Sequence, residues 1–331
     1  MLGRVADAAE RWTARDPWTN VYGLARSLLA LCTLITLLLN PATVLFRPAA
    51  GVPDAPYCYG VRSASLFCVV PRDHLDVARW IGIVILIIVA SGWRPALTAI
   101  PHWWVAFSLY CTATIPDGGD QAAAVLTLLL IPVALTDPRT SHWQRPTVSG
   151  QAGPRPMARL VAVVAKTAIR VQVSIIYFHA FVGKLQVPEW IDGTVLWYWL
   201  NDPTFGPAHW MRALVINFAA TSIGIVLMTW GTLALEGSLA IALFLPPKIQ
   251  SKLLIAGIAF HTGIALLMGL VSFGLAMISA LTLYLRPWEA SFTSPFGSMA
   301  RTIAGLQGKL PVSPARSAPT AGRESVPARD V

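Results

Sequence analysis

Long apolar runs separated by short polar segments dominate the pattern of this sequence. A membrane-spanning helix needs about 20 mostly apolar residues, or somewhat fewer when it is tilted or packed against neighbours. Eight runs approach that length, and the sixth is long enough to include an interfacial helix before the span. The predicted spans are 21–39, 77–91, 101–115, 121–135, 159–183, 214–245, 252–269 and 271–286. We therefore predict an all-α fold, a polytopic transmembrane helix bundle of about eight spans.

The charges of the connecting segments indicate an orientation. Lys and Arg in short loops favour the cytoplasmic side of a membrane. If the N-terminus lies inside, the inner loops carry most of the loop cations, whereas the outer loops around 116–120 and 189–202 are acidic and loop 40–76 is mixed. This pattern predicts that both termini are cytoplasmic, with an N-terminal segment over 1–20 and a transmembrane domain over 21–286.

Composition supports a membrane protein and adds a prediction for the C-terminus. The chain is 55% hydrophobic and only 12% charged, against about 25% charged residues in a soluble domain. Its net charge of +9 is concentrated in loops and in the tail, so it does not indicate nucleic-acid binding. Residues 287–331 are rich in Pro, Ser, Ala and Arg, which predicts a disordered basic cytoplasmic tail.

Two of the four cysteines fall in the first predicted outer loop. Cys58 and Cys68 belong to CYGVRSASLFC, and an oxidising compartment would let them form a disulfide. Two unrelated thiols are the alternative. Cys32 and Cys111 lie inside predicted spans, where we expect them to act as small apolar residues.

Ionisable residues inside predicted spans are costly and are functional candidates by default. Arg170, Glu236 and His261 each fall near the middle of a span, in the case of Arg170 about 16 Å from the inner end. We expect these three residues to share one buried polar cluster. The structural alternative, in which an Arg–Glu pair only fixes the helix register, is equally open.

Lys184 ends the fifth predicted span, within SIIYFHAFVGKLQVPEWIDGT, and Tyr177 lies on the same helical face. The ordinary interpretation is a helix-end cation that complements the helix dipole and reaches water. A compact outer segment containing Trp190 and Asp192 follows at once. That segment could act as a lid and desolvate the ammonium group, which would favour its use as a base or nucleophile.

Asp117 and Asp120 of DGGD are expected on the same outer side as Lys184, and a carboxylate there could instead hold the lysine as an ion pair. Two aspartates alone are weak evidence for a cation site, and we predict no metal site. The sequence contains no HExxH, GxSxG, CxxC or P-loop motif. It also lacks the internal repeat that is typical of many secondary transporters.

One stretch resembles a known family. YFHAFVGKLQVPEWIDGTVLWYWL is similar to the lysine-containing segment of the horizontally transferred transmembrane (HTTM) domain family, which includes the vitamin K-dependent γ-glutamyl carboxylases. FHTGIALLMGLVSFGLAMISALTLYL and TWGTLALEG look like its histidine and glutamate segments. NVYGLARSLLALCTLITLLLN, SGWRPALTAIPHWWVAFS and LLIPVALTDPRTSHW resemble the SdpB branch, the sporulation-delaying proteins of an antimicrobial-peptide system. The resemblance covers about residues 15–287.

The resemblance implies roles for individual residues. In the carboxylases the lysine that matches Lys184 is the base that links vitamin K hydroquinone chemistry to glutamate deprotonation, and His261 matches the family's membrane histidine. Gly183 and Phe181 depart from the carboxylase pattern, and the sequence stops at Val331 without the large domain that follows the membrane part of the carboxylases. Carboxylation therefore cannot be carried over.

The resemblance to the SdpB branch implies a role in maturation or export of a secreted antimicrobial peptide toxin at the bacterial plasma membrane. The implied partners are the peptide precursor, a small operon-encoded protein resembling SdpA, and the lipid bilayer. This is the first functional hypothesis. The alternatives are a quinone-dependent membrane enzyme that modifies a peptide or lipid, and a transporter or immunity-type protein without chemistry. The cofactor stays open, because only the resemblance points to a quinone.

The first hypothesis predicts an outward-facing, mostly apolar cavity. Lys184 and His261 are its candidate catalytic residues. The residues expected to line or cover it are Tyr177, Trp190, Asp192, Asp117 and Asp120.

Overall fold

A computed structural model describes residues 16–49, 51, 55–144, 156–288 and 292 of the chain. The chain divides into two compact units, Met1–Ser291 and Phe292–Val331, and the helices described below belong to the first. The described residues contain helices and no strand, with one isolated bridge between Trp93 and Ser141. This agrees with the predicted all-α class.

Helices occupy all eight regions that the apolar pattern predicts as spans. The described α-helices are α1 Asn20–Leu39, α2 Ala42–Leu45, α3 Leu66–Val69, α4 Leu75–Ala90, α5 Pro95–Thr112, α6 Gly118–Leu135, α7 Pro156–Lys184, α8 Pro188–Ile191, α9 Val195–Asn201, α10 His209–Ala219, α11 Ser222–Ala240, α12 Pro247–Met268 and α13 Val271–Leu285. Short 3₁₀ segments occur at Gly60–Ala64, Arg72–His74 and Ala242–Phe244.

Five of these helices, α1, α6, α7, α11 and α12, are long and apolar enough to cross a membrane. The 15-residue helix α13 is apolar but shorter. The total of eight spans and the cytoplasmic position of both termini therefore stay predictions. Many apolar side chains of α12 face outward, since only 11% of its most apolar window is buried, against 67% for α1. Such outward apolar faces suit contact with lipid.

The predicted sixth region, 214–245, is divided between two helices. α10 ends at Ala219 and α11 begins at Ser222, because the hydroxyl of Thr221 accepts a hydrogen bond from the Gly224 amide and caps the new helix. Such a side-chain cap satisfies an amide at a helix start. The second helix is one of those long and apolar enough to cross a membrane, and the interfacial position of α10 stays a prediction.

α13 lies at the centre of the bundle and packs against α1, α6, α7 and α12. It follows α12 through Gly269, whose φ of +71° permits the left-handed turn that ends α12. The two helices approach closely at glycines: a Cβ at Gly274 would lie 3.0 Å from the Ala265 Cβ. Small residues allow this kind of close helix contact in membrane proteins.

A buried polar network, which we call the Asp137 network, joins the segment after α6 to the start of α1. Arg139 donates to both carboxylate oxygens of Asp137, from Nε at 2.9 Å and from Nη2 at 2.8 Å. The Tyr22 hydroxyl donates to Asp137 Oδ2 at 2.7 Å. A bidentate, hydrogen-bonded ion pair can offset the cost of removing two charges from water.

His142 extends this network as a neutral side chain. Burial, with Arg26 and Arg139 nearby, lowers the pKa of His142 to about 3. Its Nε2 lies 3.2 Å from the Ser27 hydroxyl, which itself donates to the carbonyl of Ala90. The His142 ring is packed so tightly that a Cβ at Gly92 would lie 2.6 Å from it.

The ends of the chain lie partly outside the described residues. The predicted cytoplasmic segment 1–20 is described only from Asp16, and the predicted tail 287–331 only at 287, 288 and 292. Trp288 is fully buried and stacks on Tyr22 with ring centroids 6.2 Å apart. The packed part of the chain therefore continues past the predicted boundary at residue 286.

Replacing Asp137 by Asn is expected to destabilise the bundle by about 3–5 kcal/mol, because it leaves the guanidinium of Arg139 buried without its counter-charge. Asp76→Asn is the matched control. Asp76 pairs with Arg79 at 2.7 Å but its side chain is 55% exposed, so its loss should cost about 1 kcal/mol or less. Denaturant titration of the full chain in detergent micelles measures both free energies of unfolding, and equal losses would contradict the prediction.

Candidate functional site

A mostly apolar cavity of about 620 Å³ lies among the second half of the helices. This volume is in the range of sites that bury small molecules or short apolar segments. The cavity wall combines aromatic and aliphatic side chains with a few polar ones. Its lining residues include Trp190, Trp199, Phe205, Met228, Phe260 and Met268, together with Lys184, Glu236, His261 and Asp117.

Lys184 and Glu236 form an ion pair on this wall. The ammonium nitrogen lies 2.9 Å from Oε1 and 2.8 Å from Oε2, and the side chains are 23% and 8% exposed respectively. Lys184 is the last residue of α7, and Glu236 lies within the last two turns of α11. The ion pair therefore ties the ends of two long helices together beside the cavity.

Trp190 covers the lysine. The ammonium nitrogen lies 5.2 Å from the centroid of the indole ring, a cation–π distance. α8, which carries Trp190, follows α7 after a short turn, and the Trp190 side chain is only 9% exposed. Lys184 is thus a partly buried, paired cation, which differs from a helix-end lysine that extends into water.

His261 reaches the cavity from the middle of α12 and is 2% exposed. Its Nε2 lies 2.9 Å from the Tyr177 hydroxyl, and its Nδ1 has no hydrogen-bond partner in the described part of the chain. Among the described residues, the Tyr177 hydroxyl has no acceptor besides Nε2 of His261, so we assign its proton to this bond. Neutral His261 then carries its own proton on Nδ1.

Asp117 lies on the cavity wall and is the N-cap residue of α6. Its Oδ1 accepts the amide of Asp120 at 2.8 Å and Asp120 in turn accepts the amide of Asp117, a reciprocal capping box. Ser272 donates to Asp117 Oδ2 at 3.3 Å. The glycines of DGGD let α13 approach, since a Cβ at Gly119 would lie 2.7 Å from the Phe273 Cα.

The structure corrects the expected cluster of Arg170, Glu236 and His261. Arg170 lies about four turns before Lys184 on α7, or roughly 21 Å along the helix, and its Nε donates to the Tyr284 carbonyl at 3.0 Å. Glu236 is paired with Lys184 instead. The sequence located the buried charges but chose the wrong cation, because one helical face carries several cations and spacing alone does not select the one that meets Glu236.

The other predicted site residues are placed as follows. Trp190 lines the cavity, whereas Tyr177, Asp120 and Asp192 are not among its lining residues. Asp120 is 6% exposed, and the exposed Asp192 accepts hydrogen bonds from the amide and hydroxyl of Thr194. Cys58 and Cys68 are joined by a disulfide. Among the described residues, no group of three His, Cys, Asp or Glu side chains could hold a metal ion.

Sequence reasoning missed much of the cavity wall. Trp199 and Phe205 come from α9 and the segment after it, and Met228 and Thr232 from α11. The aromatic run in VLWYWLN offered a signal for the first part, since Trp and Tyr are enriched at membrane interfaces and in binding sites. The sequence contained no comparable signal for Met228 and Thr232, because an apolar helix can present any of its faces to a cavity.

Similarity to known proteins agrees with this architecture. The HTTM domain matches residues 129–288, which include all the polar cavity residues named above except Asp117. Two relatives from Bacillus subtilis (strain 168) match most of the chain. The protein named "Uncharacterized protein YitO" is 40% identical over 293 residues, which cover 88% of this chain and 93% of the relative. "Sporulation-delaying protein SdpB" is 35% identical over 296 residues, 89% of this chain and 90% of the relative. No solved structure matches the chain.

The long apolar helices and the HTTM match define an all-helical membrane protein. The identity to SdpB over nine-tenths of its length then makes the assignment specific. The chain belongs to the SdpB family.

Removing the Tyr177 hydroxyl is expected to destabilise the protein. In Tyr177→Phe, Nε2 of His261 loses its partner in a buried position, and an unpaired buried polar atom costs about 1–3 kcal/mol. Tyr198→Phe is the matched control, because Tyr198 is 62% exposed. Thermal unfolding in detergent should show a lower melting temperature for the first variant only, and equal melting temperatures would contradict the role of this hydrogen bond.

Proposed function

We propose that this protein acts at the bacterial plasma membrane, with several helices crossing it, in the maturation or export of a secreted antimicrobial peptide. The proposal rests on the relative named sporulation-delaying protein SdpB, which matches nearly the whole chain. The implied partners are the peptide precursor and a small operon-encoded protein resembling SdpA. The site of action is the cavity around Lys184.

The cavity is the structural feature that supports the proposed site of action. Its wall is mainly apolar, yet it holds a partly buried ion pair and the buried side chain of His261. A wall of this kind suits an apolar ligand that also has a few polar groups, as a segment of a membrane-active peptide would have. Pockets with an apolar lining and a small number of convergent polar groups are typical binding sites.

Two roles are open to Lys184 at this site. As an ammonium it can donate a hydrogen bond to a carbonyl of the peptide, since Glu236 occupies only part of its capacity of three donors. As a base or nucleophile it would first have to lose a proton. Glu236 is placed to take that proton at 2.9 Å, which would leave a neutral amine and a neutral carboxylic acid.

A second candidate is a carboxylase-like, quinone-dependent enzyme that modifies a peptide or lipid. The aromatic residues Trp190, Phe260 and Phe273 on the cavity wall fit a flat apolar ring, and a bound quinone would supply redox chemistry there. Gly183 stands where the carboxylases have a second lysine. A Cβ at Gly183 would have no atom within 4 Å, so packing does not require a glycine at this position. Whether the substrate is a peptide or a lipid, the chain's own contribution would be the proton held between Lys184 and Glu236.

The test compares Lys184→Met, Glu236→Gln and the double variant, each coexpressed with the peptide precursor gene. The single Lys184 variant leaves the Glu236 carboxylate buried and unpaired, which is expected to reduce the amount of folded protein. The double variant removes both charges and keeps similar shapes, so it should accumulate normally. Lys252→Met, at an exposed position of α12, is the control for loss of a lysine.

Mass spectrometry of the secreted peptide, normalised to membrane-inserted protein, gives the readout. We expect the double variant to yield at least about tenfold less mature peptide than wild type, since binding and any proton transfer need Lys184. If the wild-type peptide is heavier than the variant's peptide by one CO₂ per glutamate, the step is carboxylation. If the variant yields only the full-length precursor mass, the step is proteolytic processing. A normal amount of unchanged peptide from the double variant would make the ion pair structural and favour a transporter or immunity protein without chemistry at this site.

A further inference from the structure

Arg170 lies at one end of the bundle, where α11 and α13 end and α12 begins. Its Nε donates to the carbonyl of Tyr284, in the last turn of α13, at 3.0 Å. One turn further along α7, the hydroxyl of Ser174 donates to the carbonyl of Ala240, the last residue of α11, at 2.6 Å. α7 also packs against the 3₁₀ segment Ala242–Phe244. Arg170 is therefore next to the short connection between α11 and α12.

Lys248 is a second cation beside the same connection. It lies in the first turn of α12, and its side chain is exposed. Gln250 fixes the start of α12 against this connection, because its side-chain amide donates to the carbonyls of Ala242 at 3.1 Å and Leu245 at 2.9 Å. A cation in the first turn of a helix is unfavourable for the helix dipole. The stability of α12 therefore does not explain a lysine at this position.

Arg170 and Lys248 have no ion-pair partner in the part of the chain that the structure describes. The described residues use only the Nε–H of the Arg170 guanidinium, which leaves the N–H groups of its two terminal nitrogens available. Lys166, one turn before Arg170 on α7, adds positive charge, and its ammonium nitrogen lies 5.2 Å from the centroid of the Trp288 ring. This end of the bundle can therefore donate charged hydrogen bonds to an anion.

Large apolar side chains are exposed around the two cations. Phe244, in the connection itself, is 83% exposed, and Ile241 and Ile249 on either side of it are exposed as well. Val171, which follows Arg170 on α7, is also exposed. Exposed apolar patches of this kind mark surfaces that contact a membrane or another protein. Cations combined with exposed apolar side chains match a ligand that has an anionic headgroup and hydrocarbon chains.

We propose that Arg170 and Lys248 bind the phosphate of an anionic phospholipid, whose acyl chains pack against Phe244 and its apolar neighbours. We call this surface the Arg170 patch. The planar guanidinium presents N–H groups in a fork that matches phosphate oxygens, and the lysine adds a point charge. Basic pockets between helices are known to bind lipid headgroups. The sequence beyond residue 292 contains more cations than carboxylates, so its charge does not complement the patch.

The inference is independent of the proposed function, because Arg170 lies about four turns of α7 away from Lys184. The experiment measures binding of single phospholipids to the full chain in a neutral detergent by native mass spectrometry. The probes are dioleoylphosphatidylglycerol, which is anionic, and dioleoylphosphatidylcholine, which has the same acyl chains and no net charge. We expect wild type to bind the first about 25-fold more tightly, since each cation contributes about fivefold, or about 1 kcal/mol.

The variants identify the cations responsible. Arg170→Gln and Lys248→Gln should each weaken phosphatidylglycerol binding about fivefold and leave phosphatidylcholine binding unchanged. Arg72→Gln is the matched control, because it removes one cation from an exposed position in the 3₁₀ segment Arg72–His74, and it should keep the full preference. Melting temperatures establish which variants are folded. Lys248 is exposed, so its variant still tests the patch if loss of the bond to Tyr284 unfolds Arg170→Gln.

Three results would overturn the lipid site. The first is equal affinity of wild type for the two phospholipids, and the second is an unchanged preference in either folded patch variant. The third is an equal loss in Arg72→Gln, which would make the preference an effect of net charge alone. Inorganic phosphate, added at constant ionic strength, distinguishes a soluble source of the same group. Displacement of phosphatidylglycerol by phosphate would assign the patch to a free anion and overturn its assignment to a lipid.

Discussion

The ion pair between Lys184 and Glu236 is the interaction on which the second half of the structure depends. Two charges in an apolar bundle are tolerable only if they meet with good geometry, and here both carboxylate oxygens lie within 2.9 Å of the ammonium nitrogen. This requirement fixes the end of α7 against the end of α11. Trp190 then packs over the lysine, and the remaining space between these helices and α12 is the cavity.

The two buried polar regions of the molecule differ in their surroundings. In the Asp137 network, the guanidinium of Arg139 donates to both oxygens of Asp137 and to the carbonyls of His142 and Gln144. Such a network makes a well-defined, rigid structure. The Lys184–Glu236 ion pair instead lies on the wall of a cavity of about 620 Å³. A few polar groups on a mostly apolar concave wall are typical of binding sites.

Two stretches of the chain that resemble the SdpB branch lie in these two different regions. LLIPVALTDPRTSHW forms the Asp137 network, which connects the segment after α6 with α1 and packs the His142 ring against Gly92. VGKLQVPEWIDGT contributes Lys184 and Trp190 to the cavity wall. The first stretch maintains the packing of the bundle, whereas the second carries the groups that a ligand would meet.

The sequence by itself determined the helical class, the positions of the helices and most of the polar residues at the site. Apolar runs of helix length leave the backbone few other ways to satisfy its hydrogen bonds, and the seven-residue spacing of Tyr177 and Lys184 places both on one helical face. Only the tertiary structure decided which charges meet. Lys184 and Arg170 lie on the same helix, and the choice of Lys184 as the partner of Glu236 depends on how α7 and α11 pack in space. The hydrogen bond between Tyr177 and His261 likewise emerges only there, because hydrogen bonding is settled by distances between residues far apart in the chain.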